Sequence, residues 1–255
     1  MITVSTGNHG RAVASIARRL GIKAYIGISQ GVPDVKVQAI EAAGGEVLVL
    51  GATFDDALRG AAEFAQEHNL TLVHSEDPYV MAGHATLGIE LLEDLPDIDT
   101  LLAPSANAGL LMAIAVVLKA ANPKVRMVAV SMERGAVLVP SLRAGHVVDF
   151  EELPTLADAI MGSLGEDPEA IFEAVRGWID EGVMVSEEEI AAAMAFALER
   201  RHQMVEGAGA VGIAALRSGK LNIAGQKTAV LVTGGNVAMP VLLQVLQQHA
   251  TLSSK

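Results

Sequence analysis

The sequence contains no cysteine and few aromatic residues. The absence of cysteine excludes disulfide bonds, thiolate metal sites and a cysteine nucleophile. Aromatic residues make up 3% of the 255 residues and hydrophobic residues 51%, so we expect a sizeable core built from Ala, Val, Leu, Ile and Met.

Positive charge is also scarce. The chain has 18 Lys and Arg residues against 30 Asp and Glu residues, which gives a formal net charge of −12. Nucleic-acid binding depends on clustered cations that neutralise phosphates, so this charge argues against a nucleic-acid partner. Acidity of this size is typical of a soluble protein.

Long apolar runs and targeting signals are lacking as well. The longest apolar run, GLLMAIAVVLKAA at residues 109–121, is too short to span a membrane and is interrupted by Lys119. The first residues show no basic segment followed by an apolar one, so we expect no secretory signal. These features predict a soluble, cytoplasmic protein without membrane contact.

Short β-branched runs alternate with longer helical patterns. This alternation predicts βαβ crossovers and a mostly parallel sheet, with strands that are apolar on both faces. The predicted strands lie at residues 2–5, 24–29, 46–51, 70–75, 99–105, 125–131 and 227–236. The predicted helices include residues 32–44, 54–69, 81–95, 109–122, 187–202, 209–219 and 240–250. Ser186 and Glu189 form a capping box that begins one of these helices.

Polar residues follow several of the predicted strands, where ligands bind in open α/β sheets. Residues 5–10 (STGNHG) offer hydroxyls, an amide and helix-start N–H groups that can hold a carboxylate. An ordinary helix N-cap with a glycine turn explains the same residues equally well. In residues 104–110 Gly109 is the only glycine, so the residues alone favour a turn capped by Asn107 over a phosphate-binding loop.

Two further loops carry single polar residues. Glu206 lies between two predicted helices, a position more typical of a solvated cap than of an acid catalyst. Thr233 begins the stretch TGGN at the end of the last predicted strand, where its hydroxyl can meet a ring nitrogen. A simple left-handed glycine turn is the alternative for that loop.

The remaining histidines show no metal-ligand spacing. We interpret them as structural or surface residues: His68, His74, His84, His146, His202 and His249. Neither a Ser-His-Asp triad nor a carboxylate pair can be placed from the sequence.

In their order and spacing these motifs resemble the fold-type II pyridoxal-phosphate enzymes, specifically the serine/threonine dehydratase and serine racemase group. The similarity covers nearly the whole chain and includes STGNHGRAVA, VPDVKVQAIEAAGGEV, DPYVMAGHATLGIELLEDLPDIDTLL, LPTLADAI, VEGAGAVG and VTGGNV. The stretch VSMERGAVLVPSLRAG resembles the hydroxyectoine-utilisation dehydratases of that group.

The resemblance implies an α/β fold similar to that of the tryptophan synthase β chain. We expect open, mostly parallel twisted sheets with helices on both faces, incomplete at the N-terminus. Residues 1–98 would form most of a small domain that begins with the substrate-carboxylate loop. Residues 99–255 would form a large domain with the cofactor-phosphate and ring-nitrogen loops, whose N-terminal part is missing.

The resemblance also assigns roles to single residues. Four positions match the loop that binds the substrate carboxylate: Ser5, Thr6, Asn8 and His9. Of these, Asn8 also matches a contact to the phenolic oxygen of pyridoxal 5'-phosphate, and Thr6 stands at a candidate proton-relay position. Five positions match the phosphate-binding loop and its flank: Ala106, Asn107, Ala108, Gly109 and Leu110. Glu206 matches a glutamate near the cofactor ring, and Thr233 matches the hydroxyl that bonds the pyridine nitrogen.

The sequence departs from the family at the reactive lysine. Family members carry this Schiff-base lysine in a Ser-Phe-Lys-x-Arg-Gly type motif, upstream of the loop that here begins at residue 5. The seven lysines lie in no such motif: Lys23, Lys36, Lys119, Lys124, Lys220, Lys227 and Lys255. We therefore expect an N-terminally truncated chain with no residue in the catalytic role of that positioned amine.

Further departures affect the cofactor and metal sites. The sequence Ala-Asn-Ala-Gly replaces a loop that is mostly glycine, and Ala108 would adopt a left-handed conformation only at a cost of about 1–2 kcal/mol. We therefore expect cofactor binding to be weakened or lost. MAGHAT replaces the usual I-A-G-Q-G-T. Ser131 stands where some relatives place a cation-binding glutamate, so we predict no metal there.

The function implied by the resemblance is a pyridoxal-phosphate-dependent lyase acting on a small hydroxy-amino acid such as serine or threonine. This reaction requires a longer chain, or a second chain that supplies the lysine. Two alternatives stay open. The chain is a catalytically inactive relative that binds an amino acid or a protein partner, or it is a fragment whose exposed apolar surface predicts oligomerisation or aggregation. For the protein as a whole we expect a homo-oligomer, a dimer.

Overall fold

The computed structural model describes residues 1–5, 7–151, 153–165 and 167–253. The chain divides into two compact units, Met1–Val80 and Met81–Lys255. The expected boundary after residue 98, and the roles assigned to the two domains, stay predictions.

The first unit is built on a three-stranded parallel sheet in the order β1-β2-β3. Its elements are β1 (Ile2–Val4), α1 (Asn8–Arg19), β2 (Tyr25–Ser29), α2 (Asp34–Ala43), β3 (Glu46–Gly51) and α3 (Phe54–Glu67). Alternate strand residues point to opposite faces of a sheet. Ile26 and Ile28 therefore pack with α1 and α2 on one face, while Ile2 and Val4 pack with α3 on the other.

The strand predicted at residues 70–75 is wrong. This segment makes only an isolated parallel bridge, between Ile2 and Leu72. Since β1 has three residues before the chain turns toward α1, it offers no partner for a longer ladder. The carbonyl oxygen of Val73 instead accepts a hydrogen bond from the side-chain hydroxyl of Thr3, at 2.7 Å.

The second unit is built on a four-stranded parallel sheet in the order β6-β5-β4-β7. Its elements follow α4 (Pro78–Asp94), which begins just before the unit boundary: β4 (Thr100–Pro104), α5 (Gly109–Ala121), β5 (Arg126–Met132), α6 (Leu138–Ala144), a short 3₁₀ helix (Asp158–Ile160), α7 (Pro168–Arg176), β6 (Glu181–Val185), α8 (Glu187–Arg201), α9 (Gly207–Arg217), β7 (Thr228–Val230) and α10 (Met239–Ser253).

Both faces of this second sheet are covered by helices. Leu102 and Val128 pack with α8 and α9 on one face, and Leu101 and Met127 pack with α5 on the other. The predicted parallel α/β architecture with helices on both faces is therefore confirmed. The strands are not uniformly buried, however, because the edge strand β3 leaves Val49 60% exposed.

Helix ends agree with the local sequence signals. The capping box predicted at the start of α8 is confirmed, with Ser186 and Glu189 bonded to each other's backbone. A second box begins α3, where Thr53 and Asp56 bond in the same way and the backbone N–H of Thr53 lowers the pKa of Asp56. Gly44, in the left-handed conformation, ends α2 as expected.

The last predicted strand is much shorter than expected. Of residues 227–236, only Thr228–Val230 form a strand. The N–H of Leu231 still bonds to the carbonyl of Leu102, at 2.9 Å, but the carbonyl of Gly234 accepts from the N–H of Glu206 at 3.0 Å. The chain leaves the sheet here because its backbone bonds to the segment before α9 instead. Within the part of the chain that the structure describes, no helix is long and apolar enough to cross a membrane.

Candidate functional site

The first predicted loop joins β1 to α1. Gly7 occupies the N-cap position of α1, which agrees with the alternative of an ordinary N-cap with a glycine turn. The hydroxyl oxygen of Ser5 accepts a hydrogen bond from the N–H of Gly7, at 3.2 Å. Asn8 begins the helix, and Thr6 lies outside the described residues. The loop thus presents the start of α1 with polar residues on both sides of its N-cap.

Thr3, which the sequence did not single out, supports His9 from within β1. Its side chain is buried, and its hydroxyl hydrogen is donated to the carbonyl of Val73 at 2.7 Å. The Nε2 atom of His9 lies 3.0 Å from the same hydroxyl oxygen. Because a hydroxyl has only one hydrogen, Nε2 of His9 must be the donor in this second bond. All three residues of β1 are buried, and a single threonine among them gave no signal for this role.

The second predicted loop joins β4 to α5. Ala108, rather than Asn107, occupies the N-cap position of α5, with φ 63° and ψ 7°. This is the left-handed conformation that the sequence predicted to be strained for alanine. The side-chain oxygen of Asn107 accepts from the N–H of Gly109, at 3.3 Å. Ser105 is buried, with its N–H bonded to the carbonyl of Val130 at 2.9 Å.

The start of α5 fits a bound phosphate group. Helix N–H groups and the helix macrodipole favour an anion at this position. Ala108 is only 3% exposed and packs in an apolar cluster with Val137, Leu138 and Leu164, so its methyl group is directed into the core. The methyl group therefore does not fill the space in front of the helix. Ala106 and Asn107 in the same loop are partly exposed.

Glu206 lies at the start of α9 and is 4% exposed. The interpretation as a solvated cap is therefore wrong, because the side chain is buried and makes no capping bond to the helix. A carboxylate is rarely buried unless it has partners. Its burial therefore makes Glu206 a candidate functional residue.

Glycines allow the backbone before α9 to pack directly on the loop that contains Thr233. A Cβ atom on Gly209 would lie 2.9 Å from the carbonyl oxygen of Gly234, and one on Gly235 would lie 2.6 Å from that of Met204. Gly235 does not adopt a left-handed conformation, so the simple left-handed turn is wrong for this residue. Thr233 itself is exposed.

Three of the four predicted loops meet at one edge of the second sheet. β4 and β7 are parallel neighbours, with Leu102 paired to Val230, so the loops that follow them leave the sheet at the same edge. The hydrogen bond between Glu206 and Gly234 brings the start of α9 to that edge as well. The remaining loop lies at the carboxyl end of β1 in the first unit.

The other predicted positions are ordinary in their surroundings. The hydroxyl of Ser131 is buried and lies 3.4 Å from the sulfur of Met132. His68 stacks on Phe64, with ring centroids 4.0 Å apart. Burial lowers the pKa of His84 below its ordinary value of 6.5. The described residues contain no group of three or more His, Asp or Glu side chains placed to hold a metal ion.

Known proteins of similar sequence and structure show the family of the chain. A family model described as "Pyridoxal-phosphate dependent enzyme" matches residues 1–234. A protein of Sinorhizobium fredii, provisionally assigned as a threonine dehydratase, is 38% identical over 96% of this chain and 74% of its own length. The L-threonine ammonia-lyase of Thermotoga maritima is 35% identical over 100% of this chain and 63% of its own length. The chain thus spans less than two thirds of that enzyme.

A solved structure of similar fold covers the whole chain. Maize serine racemase superposes with a TM-score of 0.85 and 29% identity, over 100% of this chain and 78% of the racemase.

Proposed function

The chain belongs to the family of pyridoxal-phosphate dependent enzymes, and on that premise we propose that it is a lyase acting on a small hydroxy-amino acid. Threonine and serine are the candidate substrates, from which water is eliminated and ammonia released to leave a 2-oxo acid. The names of the similar proteins from Sinorhizobium fredii and Thermotoga maritima support this reaction class.

The observation that carries the proposal is the convergence of three loops at one sheet edge in the second unit. The start of α5, the buried Glu206 and the loop of Thr233 lie at the carboxyl ends of adjacent parallel strands or bond to residues that do. This edge is where ligands bind in α/β proteins of this kind. It combines an anion-binding helix start with a carboxylate and a hydroxyl, which suits a phosphorylated ring.

In this proposal the second unit holds the cofactor. The N–H groups at the start of α5, in residues 106–110, hold the phosphate. The hydroxyl of Thr233 donates a hydrogen bond to the ring nitrogen without protonating it. The buried Glu206 fixes the orientation of the ring. Pyridoxal phosphate, when bound, supplies an electron sink for the bond that breaks at the α-carbon of the substrate.

The first unit binds the amino acid. Ser5, Asn8 and His9 hold the substrate carboxylate. The bond from His9 to Thr3 fixes the ring of His9 while it does so. Thr6, proposed as a proton relay, lies outside the described residues. We further propose that the protein acts without a metal ion, in the cytoplasm, and as a homodimer.

A second candidate function is a non-catalytic relative that binds the amino acid without turning it over. Among the lysines that the structure describes, Lys36 on α2 is the buried one, at 8% exposure. The left-handed Ala108 in the phosphate-binding loop favours the same candidate, since it adds strain where the family has glycine.

Spectroscopy combined with a turnover assay separates the two candidates. The purified chain is titrated with pyridoxal phosphate and followed by its visible absorbance, and 2-oxo acid formation from L-threonine and L-serine is measured. Borohydride reduction and peptide mapping then show which lysine, if any, is labelled. The lyase proposal expects binding and turnover, whereas the second candidate expects amino-acid binding without turnover.

A matched pair of variants locates the cofactor in the second unit. Thr233→Val is expected to weaken pyridoxal-phosphate binding by about tenfold, the loss of one hydrogen bond. Thr71→Val changes an exposed threonine outside the predicted loops and should leave binding unchanged. A wild-type chain that neither binds the cofactor nor forms a 2-oxo acid would contradict the lyase proposal.

A further inference from the structure

The stretch LPTLADAI, residues 153–160, is held by a single carboxylate from α8. One oxygen of Glu187 accepts from the hydroxyl of Thr155 at 2.5 Å, and the other accepts from the N–H of Leu156 at 2.7 Å. The hydroxyl oxygen of Thr155 in turn accepts from the N–H of Ala157, at 3.1 Å. Both oxygens of Glu187 are thus engaged with two consecutive residues just before the 3₁₀ helix Asp158–Ile160.

The next peptide, between Leu156 and Ala157, has its N–H bonded to the hydroxyl of Thr155 and is the surface on which α9 begins. A Cβ atom on Gly207 would lie 2.1 Å from the carbonyl oxygen of Leu156 and 3.0 Å from the N–H nitrogen of Ala157. Ala157 is completely buried. The peptide between residues 156 and 157 and the start of α9 are thus packed directly against each other at Gly207. Gly207 directly follows Glu206 in the chain.

The backbone at Glu206 and the start of α9 also contacts the loop of Thr233. The N–H of Glu206 bonds to the carbonyl of Gly234 at 3.0 Å, and Gly209 packs on that residue. The backbone of Glu206 therefore lies between two other backbone segments. The Gly234 segment bonds to Glu206 directly, whereas the Leu156 segment depends on the side chain of Glu187 for two of its hydrogen bonds.

We propose that Glu187 is a positioning residue for Glu206, acting through the peptide of Leu156 and through Gly207. The role of Glu206 beside the cofactor ring rests on the proposed function, but the mechanical link from Glu187 to Gly207 does not. Loss of the Glu187 carboxylate releases the Leu156 peptide, the start of α9 gains freedom, and the carboxylate of Glu206 is no longer held in one place.

Glu187 also lies in the first turn of α8, where negative charge stabilises a helix through its macrodipole. Glu188 lies in the same turn, carries the same charge and is exposed, with its carboxylate accepting from the hydroxyl of Ser186 at 2.8 Å. A contribution to the helix alone would be shared by both residues. Variants of Glu188 are therefore the matched control for variants of Glu187.

The test combines amide hydrogen exchange of the unliganded chain with cofactor titration. In Glu187→Ala, the amide of Leu156 and that of Ala210, which bonds to the carbonyl of Glu206, are expected to exchange at least about tenfold faster than in wild type, since a charged hydrogen-bond acceptor is lost. Glu187→Gln keeps an oxygen for the N–H of Leu156 and should recover part of the protection. Glu188→Ala should leave both amides at their wild-type rates.

The same variants are then titrated with pyridoxal phosphate and examined by the induced circular dichroism of the bound cofactor. Glu187→Ala should bind several-fold more weakly with an altered spectrum, while Glu187→Gln should be intermediate and Glu188→Ala unchanged. Equal effects of the alanine variants at positions 187 and 188, or faster exchange at Leu156 with no change at Ala210, would overturn the proposal. If the wild-type chain binds no cofactor, the proposed function fails, and the exchange rates still decide whether Glu187 fixes the start of α9.

Discussion

The Nε2 atom of His9 lies 3.0 Å from the hydroxyl oxygen of Thr3, which is itself 1% exposed. Because Thr3 donates its only hydrogen to the carbonyl of Val73, the neutral ring of His9 carries its proton on Nε2. The predicted substrate loop is thus tied by a side chain to β1 and to the segment beside it. The bond fixes both the orientation and the tautomer of His9.

Replacement of Thr3 by valine tests this link. Thr3→Val keeps the shape of the side chain but removes both hydrogen bonds, which leaves the carbonyl of Val73 and Nε2 of His9 without this partner. We expect the free energy of unfolding to fall by about 1–3 kcal/mol. Urea denaturation measures the loss. Thr71→Val, at an exposed position of the neighbouring segment, should change it by less than about 0.5 kcal/mol. Equal losses in both variants would show that the hydroxyl of Thr3 contributes nothing.

Replacement of Ala108 by glycine measures the strain in the predicted phosphate-binding loop. The left-handed conformation costs alanine about 1–2 kcal/mol, which glycine recovers. Against this, glycine loses a buried methyl group, worth about 0.8 kcal/mol, and has a more flexible unfolded state, worth about 0.4–1 kcal/mol. The terms nearly cancel, so Ala108→Gly should change the free energy of unfolding by less than about 1 kcal/mol in urea denaturation.

The matched control for this variant is Ala115, which is equally buried but lies within α5. Ala115→Gly loses the same methyl group and adds the helix penalty of glycine, with no strain to recover. We expect it to cost about 1.5–2 kcal/mol. Similar losses at positions 108 and 115 would contradict the left-handed strain at Ala108.

Much of the fold could be predicted from the sequence because its signals are local. The capping box of Ser186 and Glu189 and the glycine that ends α2 each depend on a few neighbouring residues. The strand predictions failed where a distant partner decides the outcome. Residues 70–75 have strand-like composition, but β1 is too short to pair with all of them. The end of the last predicted strand bonds to Glu206 rather than to β4.

In the candidate site, too, features that depend on neighbouring residues could be predicted, and features that depend on distant residues could not. The strain at Ala108 could be predicted, since it depends on the identity of one residue in a loop of this chain. The burial of Glu206 could not, because it results from the packing of glycines against Leu156 and Gly234, which are far away in the sequence. Thr3 was missed because a single threonine in a short apolar strand carries no signal of its partner.

Replacement of Gly207 by alanine tests how closely α9 begins against the Leu156 peptide. The added methyl group would lie 2.1 Å from a backbone oxygen that cannot rotate away. Overpacking of this kind costs about 1–3 kcal/mol, and we expect Gly207→Ala to lie at or above the upper end of that range. Urea denaturation and the yield of folded protein measure the effect.

Gly83 provides the opposite case. It lies in α4, and a Cβ atom there would meet no other atom within 4 Å. Gly83→Ala should therefore raise the free energy of unfolding by up to about 1 kcal/mol, the difference in helix propensity. An equal response of positions 83 and 207 to alanine would contradict the packing described at Gly207.

The final prediction concerns His84, which lies in α4. Burial lowers the pKa of its imidazole below 6.5 in the folded chain, so below pH 6.5 the unfolded chain binds more protons than the folded one. The free energy of unfolding must then fall as the pH drops from 6.5 toward the lowered pKa, and this contribution is complete above 6.5. Glutamine does not titrate, so His84→Gln should flatten the pH dependence of the free energy of unfolding between the lowered pKa and pH 6.5.

Urea denaturation of His84→Gln between about pH 5 and 7.5 measures this slope. His146→Gln, at an exposed position, controls for the loss of an imidazole, and an equal change of slope in both variants would show that burial of His84 is not its cause.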